Sequence, residues 1–491
     1  MPSFQANART ATAYPANMET ATPTLVAPAA ALARAHALFL QRRDDEALPH
    51  AQGAAEAMPR RADAWTLLGI LQQRLGQPHA AEAAYRAALR ARPDYADAWT
   101  NLGNLLRARD DRAGALQAFQ QAMRCAPHSP EPAYNLGIAL EQFGLHDGAL
   151  AAFQAAVQCD PHHVDAHWNG ALALLRAGRF EEGFREYEWR FRRGEPAPRD
   201  CAQPAWDGSA LEGRTILVWA EQGFGDALQF LRFVPDVVCR GGRVALEVMD
   251  GLQGLASRIP GVAAVVARGA ELPPFDAHVA LMSLPHVLGL GGSVSSASAP
   301  YLRACATRVA RLGRQLATRG HAPERELAIG LAWAGNPALR NSRERSPGFA
   351  VVRPLMDIPG VRVFSLQKGA GRADLADADL PPNFIDLDAA IDDFDDTAAI
   401  IANLDIVVTC DTAVAHLAGA LGKPTFVLLP HTPDWRYGLR ADSSGWYPSM
   451  RLFRQATPGD WAGVRARVTR ALEDAVASLA SKDLATAHAG A

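Results

Sequence analysis

The sequence predicts an α-helical repeat followed by two parallel α/β units, and three observations carry that prediction. Gly69, Gly103 and Gly137 recur with a period of 34 residues, the mark of a stacked helical array. From about residue 214 the pattern changes to short β-branched apolar runs separated by helical stretches, as expected of strands buried on both faces. Finally, residues 404–429 read as strand, turn, helix and strand, a parallel βαβ unit. Its helix opens at Asp411 and Thr412, either of which is expected to cap the first free amides. A helix N-terminus at the carboxyl edge of such a sheet is where anions bind. His416 follows Thr412 by four residues, so both are expected on one face near that edge. The plain alternative is a capped crossover helix with an ordinary histidine.

Composition sets the outer limits. A chain of 491 residues, 49% hydrophobic, has material for two or three cores. Its net charge of -3 argues against a general nucleic-acid binder. Only Lys368, Lys423 and Lys482 are lysines among 49 basic residues, a bias toward arginine. The six cysteines include no C-x-x-C pair, so neither a zinc site nor a disulfide framework is indicated and a cytoplasmic location is expected. No apolar run approaches a membrane span, and the Ala/Thr/Pro-rich start lacks the regions of a signal peptide. Residues 1–28 are expected to be disordered and 479–491 to form a flexible tail.

Within the repeats, fixed offsets hold Ala81, Ala115 and Ala149, then Tyr85, Phe119 and Phe153, then Pro93, Pro127 and Pro161. Small residues let two helices approach, the aromatic fills the gap, and proline ends the second helix. The pattern resembles the tetratricopeptide repeat. A weaker copy precedes it, with Ala35 and Ala51 in the glycine and aromatic places, and another follows, with Ala171, Gly183 and Tyr187. About five repeats therefore span residues 29–193. Asn101, Asn135 and Asn169 recur on the first helix of successive repeats. A comparable asparagine ladder holds protein substrates in O-GlcNAc transferases, which this arrangement resembles, so these residues are candidates for an acceptor peptide. Asparagine is also common at that repeat position, and Thr66 breaks the row. The tryptophans Trp65, Trp99 and Trp168 read as packing residues.

A connector, 194–213, leads to an α/β unit expected over 214–322. Residues 215–219 form a strand, 221–226 a glycine-rich turn and 227–239 a helix. The turn fails as a dinucleotide fingerprint, because Leu228 stands in the third glycine place. Gly225 and Asp226 after the first strand instead resemble the Gly-Asp pair of bacterial heptosyltransferases, family 9 of the glycosyltransferases. That resemblance implies Asp226 as general base, with Glu221 in reserve and Gly223 and Gly225 on the acceptor side. The alternative is that Asp226 merely caps its helix.

A second α/β unit is expected over 323–478. After its first strand come Asn336 and a loop with Arg340, Arg343 and Arg345; after the next come Gln367 and Lys368. Cations at strand ends suit a diphosphate. Asp392, Asp393, Asp395 and Asp396 contain an Asp-x-Asp spacing, but the helix that follows favours a capping role over a metal. Asp411, Thr412, Ala413 and His416, with Lys423 and Pro424 beyond, resemble the heptosyltransferase donor motif, from which Ala413 and Ala415 depart. The family implies a GT-B fold, two Rossmann-like domains facing a cleft.

The expected activity is an inverting glycosyl transfer, without metal or cofactor, from a nucleotide-sugar to a hydroxyl on a protein or glycan recruited by the repeats. Donor contacts are expected from Asp411, Thr412, Ala413, His416, Lys368, Gln367, Arg343, Arg345 and Asn336. The rival reading is a non-catalytic repeat scaffold carrying a degenerate transferase module.

Overall fold

A computed structural model describes residues 27–194, 196–289, 300–318, 326–338 and 342–489. It divides into two compact units, Met1–Ala139 and Leu140–Ala491. Most of the segment expected to be disordered, and Arg340, lie outside the described residues; Pro28 already opens the first helix.

The first unit is built from helical hairpins: Pro28–Leu40 with Asp44–Ala57, Ala62–Arg74 with Pro78–Ala91, and Ala96–Ala108 with Arg112–Cys125. The glycine periodicity has a direct steric cause. A Cβ on Gly69 would stand 2.5 Å from the Tyr85 ring, and one on Gly103 would stand 2.7 Å from Phe119. In the first hairpin Ala35 and Ala51 are both fully buried, so a small residue in the aromatic place leaves room for a methyl in the glycine place. Trp65 and Trp99 do more than pack: each indole Nε1 donates to the carbonyl of the proline that closes the preceding helix, Pro59 at 3.1 Å and Pro93 at 2.8 Å.

The second unit begins with helices His146–Cys159, Val164–Arg176 and Phe180–Tyr187. It then forms two parallel sheets. The first contains β1 (Thr215–Trp219), β2 (Arg243–Val248), β3 (Val262–Ala267) and β4 (Ala277–Ala280), in the order β3-β2-β1-β4. The second contains β5 (Leu327–Ala332), β6 (Val361–Ser365), β7 (Phe384–Asp386), β8 (Ile406–Cys410), β9 (Thr425–Leu429) and β10 (Met450–Arg454), in the order β10-β9-β8-β5-β6-β7. In each sheet the chain reverses its direction of winding once, between β1 and β4 and between β5 and β8. Loops part at such points, where open α/β sheets take ligands.

Three features differ from the sequence reading. The connector is packed, with Trp206 and Leu211 buried and the Trp206 amide donating to His278 O at 2.8 Å. The last helix runs Trp461–Ala489, through most of the expected tail. Phe184 and Tyr187 of the last repeat share one apolar core with β1, β2 and the helices of both sheets, so the compact division falls within the repeats. Beside them Arg190, fully buried, bridges Glu188 (2.6 Å), Glu221 (2.9 Å) and Ser283 (2.6 Å). No helix among the described residues is long and apolar enough to cross a membrane.

Gly103→Ala is expected to lower the stability of the first unit by about 1–3 kcal/mol, the usual cost of overpacking. Denaturant unfolding followed by circular dichroism measures it; an unchanged midpoint would show that the ring at Phe119 yields freely.

Candidate functional site

Two helix N-termini meet between the sheets of the second unit. Helix Phe224–Phe230 follows β1, and helix Ala413–Ala420 follows β8. A Cβ on Gly225 would lie 2.9 Å from His416 Cδ2 and 3.8 Å from Ala413 Cα. A side chain at 225 would press on the buried His416 ring, so the glycine of the Gly-Asp pair has a packing cause beside any chemical one.

Asp226 carries two contacts. Its Oδ2 accepts from the Gly223 amide at 3.0 Å, and its Oδ1 pairs with Arg436 Nη2 at 2.5 Å. Its side chain keeps 27% exposure, enough for an incoming group to reach it. Arg436, in the loop after β9, also donates to Asp434 Oδ1 at 2.8 Å and to Gln229 Oε1 at 2.5 Å. Burial alone would raise the Asp434 pKa, but Arg436 outweighs it and the carboxyl titrates below its ordinary range.

The second helix lacks the expected cap. Thr412 is its N-cap residue but makes no side-chain cap bond, and its hydroxyl faces Thr409 Oγ1 at 3.1 Å. Asp411 points elsewhere: Oδ1 accepts from Tyr437 Oη at 3.0 Å, and Oδ2 pairs with Arg345 Nη2 at 2.7 Å. Burial raises the Asp411 pKa against the pull of Arg345. No side chain therefore caps the first amides of this helix, and the positive end of the helix lies behind them.

His416 is a packing residue. It is 4% exposed, and its Nδ1 faces Tyr447 Oη at 3.0 Å. Burial, with the cations Arg436, Arg232 and Arg345 around it, pushes its pKa down to about 3, so the imidazole is neutral and offers no charge to a phosphate.

Other candidates divide sharply. Gln367 is saturated: Oε1 accepts from the Trp333 and Ala334 amides at 2.9 Å, and Nε2 donates to Ala334 O and Lys368 O. It rivets the ends of β5 and β6 together. Lys368 commits its ammonium to Asp388 Oδ1 at 2.7 Å and to the carbonyls of Asp388 and Ile391. Glu221 is buried against Arg190, and burial raises its pKa. Gln367 and Glu221 are thus buried in contacts within the fold, and Lys368, although half exposed, is held by the segment around Asp388. Arg343 and Asn336 are exposed, Ala413 is half-buried and Arg345 lies at the site. Asp393 caps the helix Phe394–Ala402 by accepting from the Asp396 amide at 2.9 Å. Arg308 pairs with Asp393, Arg311 with Asp396 and Arg258 with Asp395, so this acidic run is neutralised by arginines from before β5. Asn101, Asn135 and Asn169 each turn Nδ2 back to the carbonyl four residues earlier, at 2.8, 2.8 and 3.0 Å.

From the sequence, Asp434, Trp435 and Arg436 read as a loop that either shapes the cleft or packs it, and Arg436 has no assigned role there; its partner Asp226 lies 210 residues away.

Because the folded-state pKa of His416 lies below its ordinary 6.5, its contribution to stability is complete above about pH 6.5 and lost as pH falls toward 3. The unfolded chain takes up the proton first, at up to about 1.4 kcal/mol per pH unit. Replacing His416 by Gln should flatten the fall in unfolding free energy between about pH 6.5 and 5; parallel profiles for wild type and variant would contradict burial of a neutral ring.

Comparison with known proteins agrees with this architecture. Residues 66–130 and 134–194 match the tetratricopeptide repeat. Residues 383–456, from β7 through β10, match glycosyltransferase family 9 (heptosyltransferase). Protein FlbA of Caulobacter vibrioides is 31% identical over 338 residues, 62% of this chain and 54% of FlbA; the chain thus spans about half the length of that relative. Among solved structures, MamA is 20% identical with a TM-score of 0.30, covering 33% of this chain and 94% of MamA. PilF of Pseudomonas aeruginosa is 20% identical with a TM-score of 0.32, covering 35% and 78%. The chain carries tetratricopeptide repeats and, C-terminal to them, a glycosyltransferase family 9 segment set in a second parallel sheet.

Proposed function

We propose that the second unit is a GT-B glycosyltransferase that moves a sugar from a nucleotide-sugar to a hydroxyl on a protein or glycan. The observation that carries this reading is the convergence of Asp226, from the first sheet, with the uncapped N-terminus of helix Ala413–Ala420, from the second. In this reading the donor diphosphate sits on the amides after Thr412, with Arg345, Arg436 and the exposed Arg343 balancing its charge. The acceptor oxygen attacks the anomeric carbon, the bond to the diphosphate breaks with its electron pair, and Asp226 takes the hydroxyl proton. Direct displacement of this kind inverts the anomeric centre.

Arg436 links the two events. It is paired with Asp226; a diphosphate offers it a competing anion and frees the carboxylate to act as base. Helix amides and arginines then stabilise the leaving group, so the reading needs neither metal nor cofactor. The repeats are protein-interaction modules, and recruitment of the acceptor falls to them. Six free thiols fit a cytoplasmic location.

A second reading draws on a specific observation. Lys368 and Gln367 are spent within the fold, which favours a scaffold that has lost transfer. Release of nucleoside diphosphate from a panel of nucleotide-sugars, with cell extract as acceptor, separates the two; no release from any donor would favour the scaffold.

Asp226→Asn is expected to lower transfer by about 10²- to 10⁴-fold, the span of general-base help, while donor affinity measured by calorimetry stays near wild type. Full turnover in this variant would remove Asp226 from the mechanism.

A further inference from the structure

A cavity of ≈ 210 Å³ lies where the last repeat meets the carboxyl edge of the second sheet. Leu172 and Arg176 of helix Val164–Arg176 form one wall; Arg345, Thr432, Asp434 and Trp435 form the other. At roughly 30 Å³ per water this space holds about seven waters, the bulk of one sugar ring and far less than a whole nucleotide-sugar.

Of the four charged side chains in the lining, Arg176, Arg345 and Asp434 are each paired, and the fourth, Glu344, is an exposed carboxylate. Arg176 meets Glu141 at 2.5 Å, Arg345 meets Asp411 at 2.7 Å, and Asp434 meets Arg436 at 2.8 Å. Such a surface is dense in hydrogen-bond donors and acceptors, and both of its cations are compensated. An anion would need an uncompensated cation, whereas a neutral polyol uses both edges of planar carboxylates and guanidinium groups. Leu172 and the edge of the buried Trp435 indole add apolar surface to the lining, which suits the C–H groups of a sugar ring. The cavity also adjoins the chemistry: Arg345 Nη2 donates to the Asp411 carbonyl, at the mouth of the uncapped helix, and Asp434 shares Arg436 with Asp226.

We propose that this cavity is a monosaccharide pocket and that the last repeat, through Leu172 and Arg176, takes part in selecting the transferred sugar. The repeats would then act in substrate choice at the site itself, and not only in recruiting an acceptor. The proposal rests on the glycosyl-transfer reading, and its test is arranged so that the two fail separately.

The full chain is titrated by calorimetry with UDP, GDP and ADP and with their glucose, N-acetylglucosamine, mannose and heptose conjugates. Leu172→Trp and Thr432→Trp fill the cavity from opposite walls, and thermal melts establish that each is folded. Both are expected to weaken the bound nucleotide-sugar by about tenfold or more, while its parent nucleoside diphosphate changes by less than about twofold. Arg176→Gln is expected to reorder the sugars carried on one nucleotide. Equal losses for nucleotide-sugar and nucleoside diphosphate, or none for either, would overturn the pocket and leave glycosyl transfer standing. If none of these nucleotides binds, glycosyl transfer falls, and methyl glycosides decide the pocket through the indole resonance of Trp435. A shift abolished by both filling variants keeps it, and no shift ends it.

Discussion

The contact of Gly225 with His416 is the constraint on which the second unit depends. A Cβ at 225 would come within 2.9 Å of the ring, so the bare backbone of one helix is what leaves room for the buried imidazole of the other. The next residue is Asp226, and the crossing delivers its carboxylate to Arg436 of the other sheet. The same crossing buries His416 among Arg232, Arg345 and Arg436. Burial and the three guanidinium groups outweigh the pull of Asp434 on a protonated imidazole there, so the ring remains neutral. Two helix N-termini and several guanidinium groups thus occupy a small volume, balanced by Asp226, Asp411 and Asp434. Removing water from such an arrangement strengthens its response to any incoming anion.

A second dependence joins the last repeat to this centre. Arg190 has no exposure, and Glu221 beside it has almost none. A buried pair adds little net stability when intact, but losing one partner leaves an uncompensated charge in an apolar setting. Glu221 begins the loop that ends in Asp226, so the end of the repeats holds the start of that loop by an ionic contact. The same helices bring Leu172 and Arg176 to the edge of the second sheet. The last repeat is therefore part of the frame of the site.

How much of this was legible in the sequence follows from how local each determinant is. The repeat period was readable because its cause, a glycine beneath an aromatic ring sixteen positions on, recurs at fixed spacing. Strands β1, β2, β5, β6, β8 and β9 were readable as apolar runs. The edge strands β7 and β10 were not: one has three residues, and the other interrupts its apolar residues with Arg451 and Arg454. At the site, residue types at strand ends were visible, but their partners were not. Lys368 looked available because Asp388 and Ile391 reach it only through the fold. The Asp411 and Thr412 caps failed for the same reason, since Arg345 and Tyr437 arrive from distant loops and draw the Asp411 carboxylate away. Arg436 had no assigned role because its meaning lies in Asp226.

The two departures from the family motif also change meaning once they are placed. Ala415 is fully buried, so the missing hydroxyl at that position removes nothing from the open end of the helix. Ala413 is half-buried against Gly225, and its backbone amide remains one of those left without a capping side chain. What a phosphate requires of this helix is main-chain donors and a positive end, and neither depends on the side chains at 413 and 415. The harder condition is that the nearby guanidinium groups are already paired, so an anion must exchange with Asp226 or Asp411 and cannot simply be added. Its affinity would then be the difference between two sets of ion pairs, and only a ligand that meets Arg345 and Arg436 together with the helix amides gains enough to displace the internal carboxylates. In the proposed reading the diphosphate is that ligand, because its two phosphates can face both guanidinium groups where a single carboxylate has one anionic group to offer.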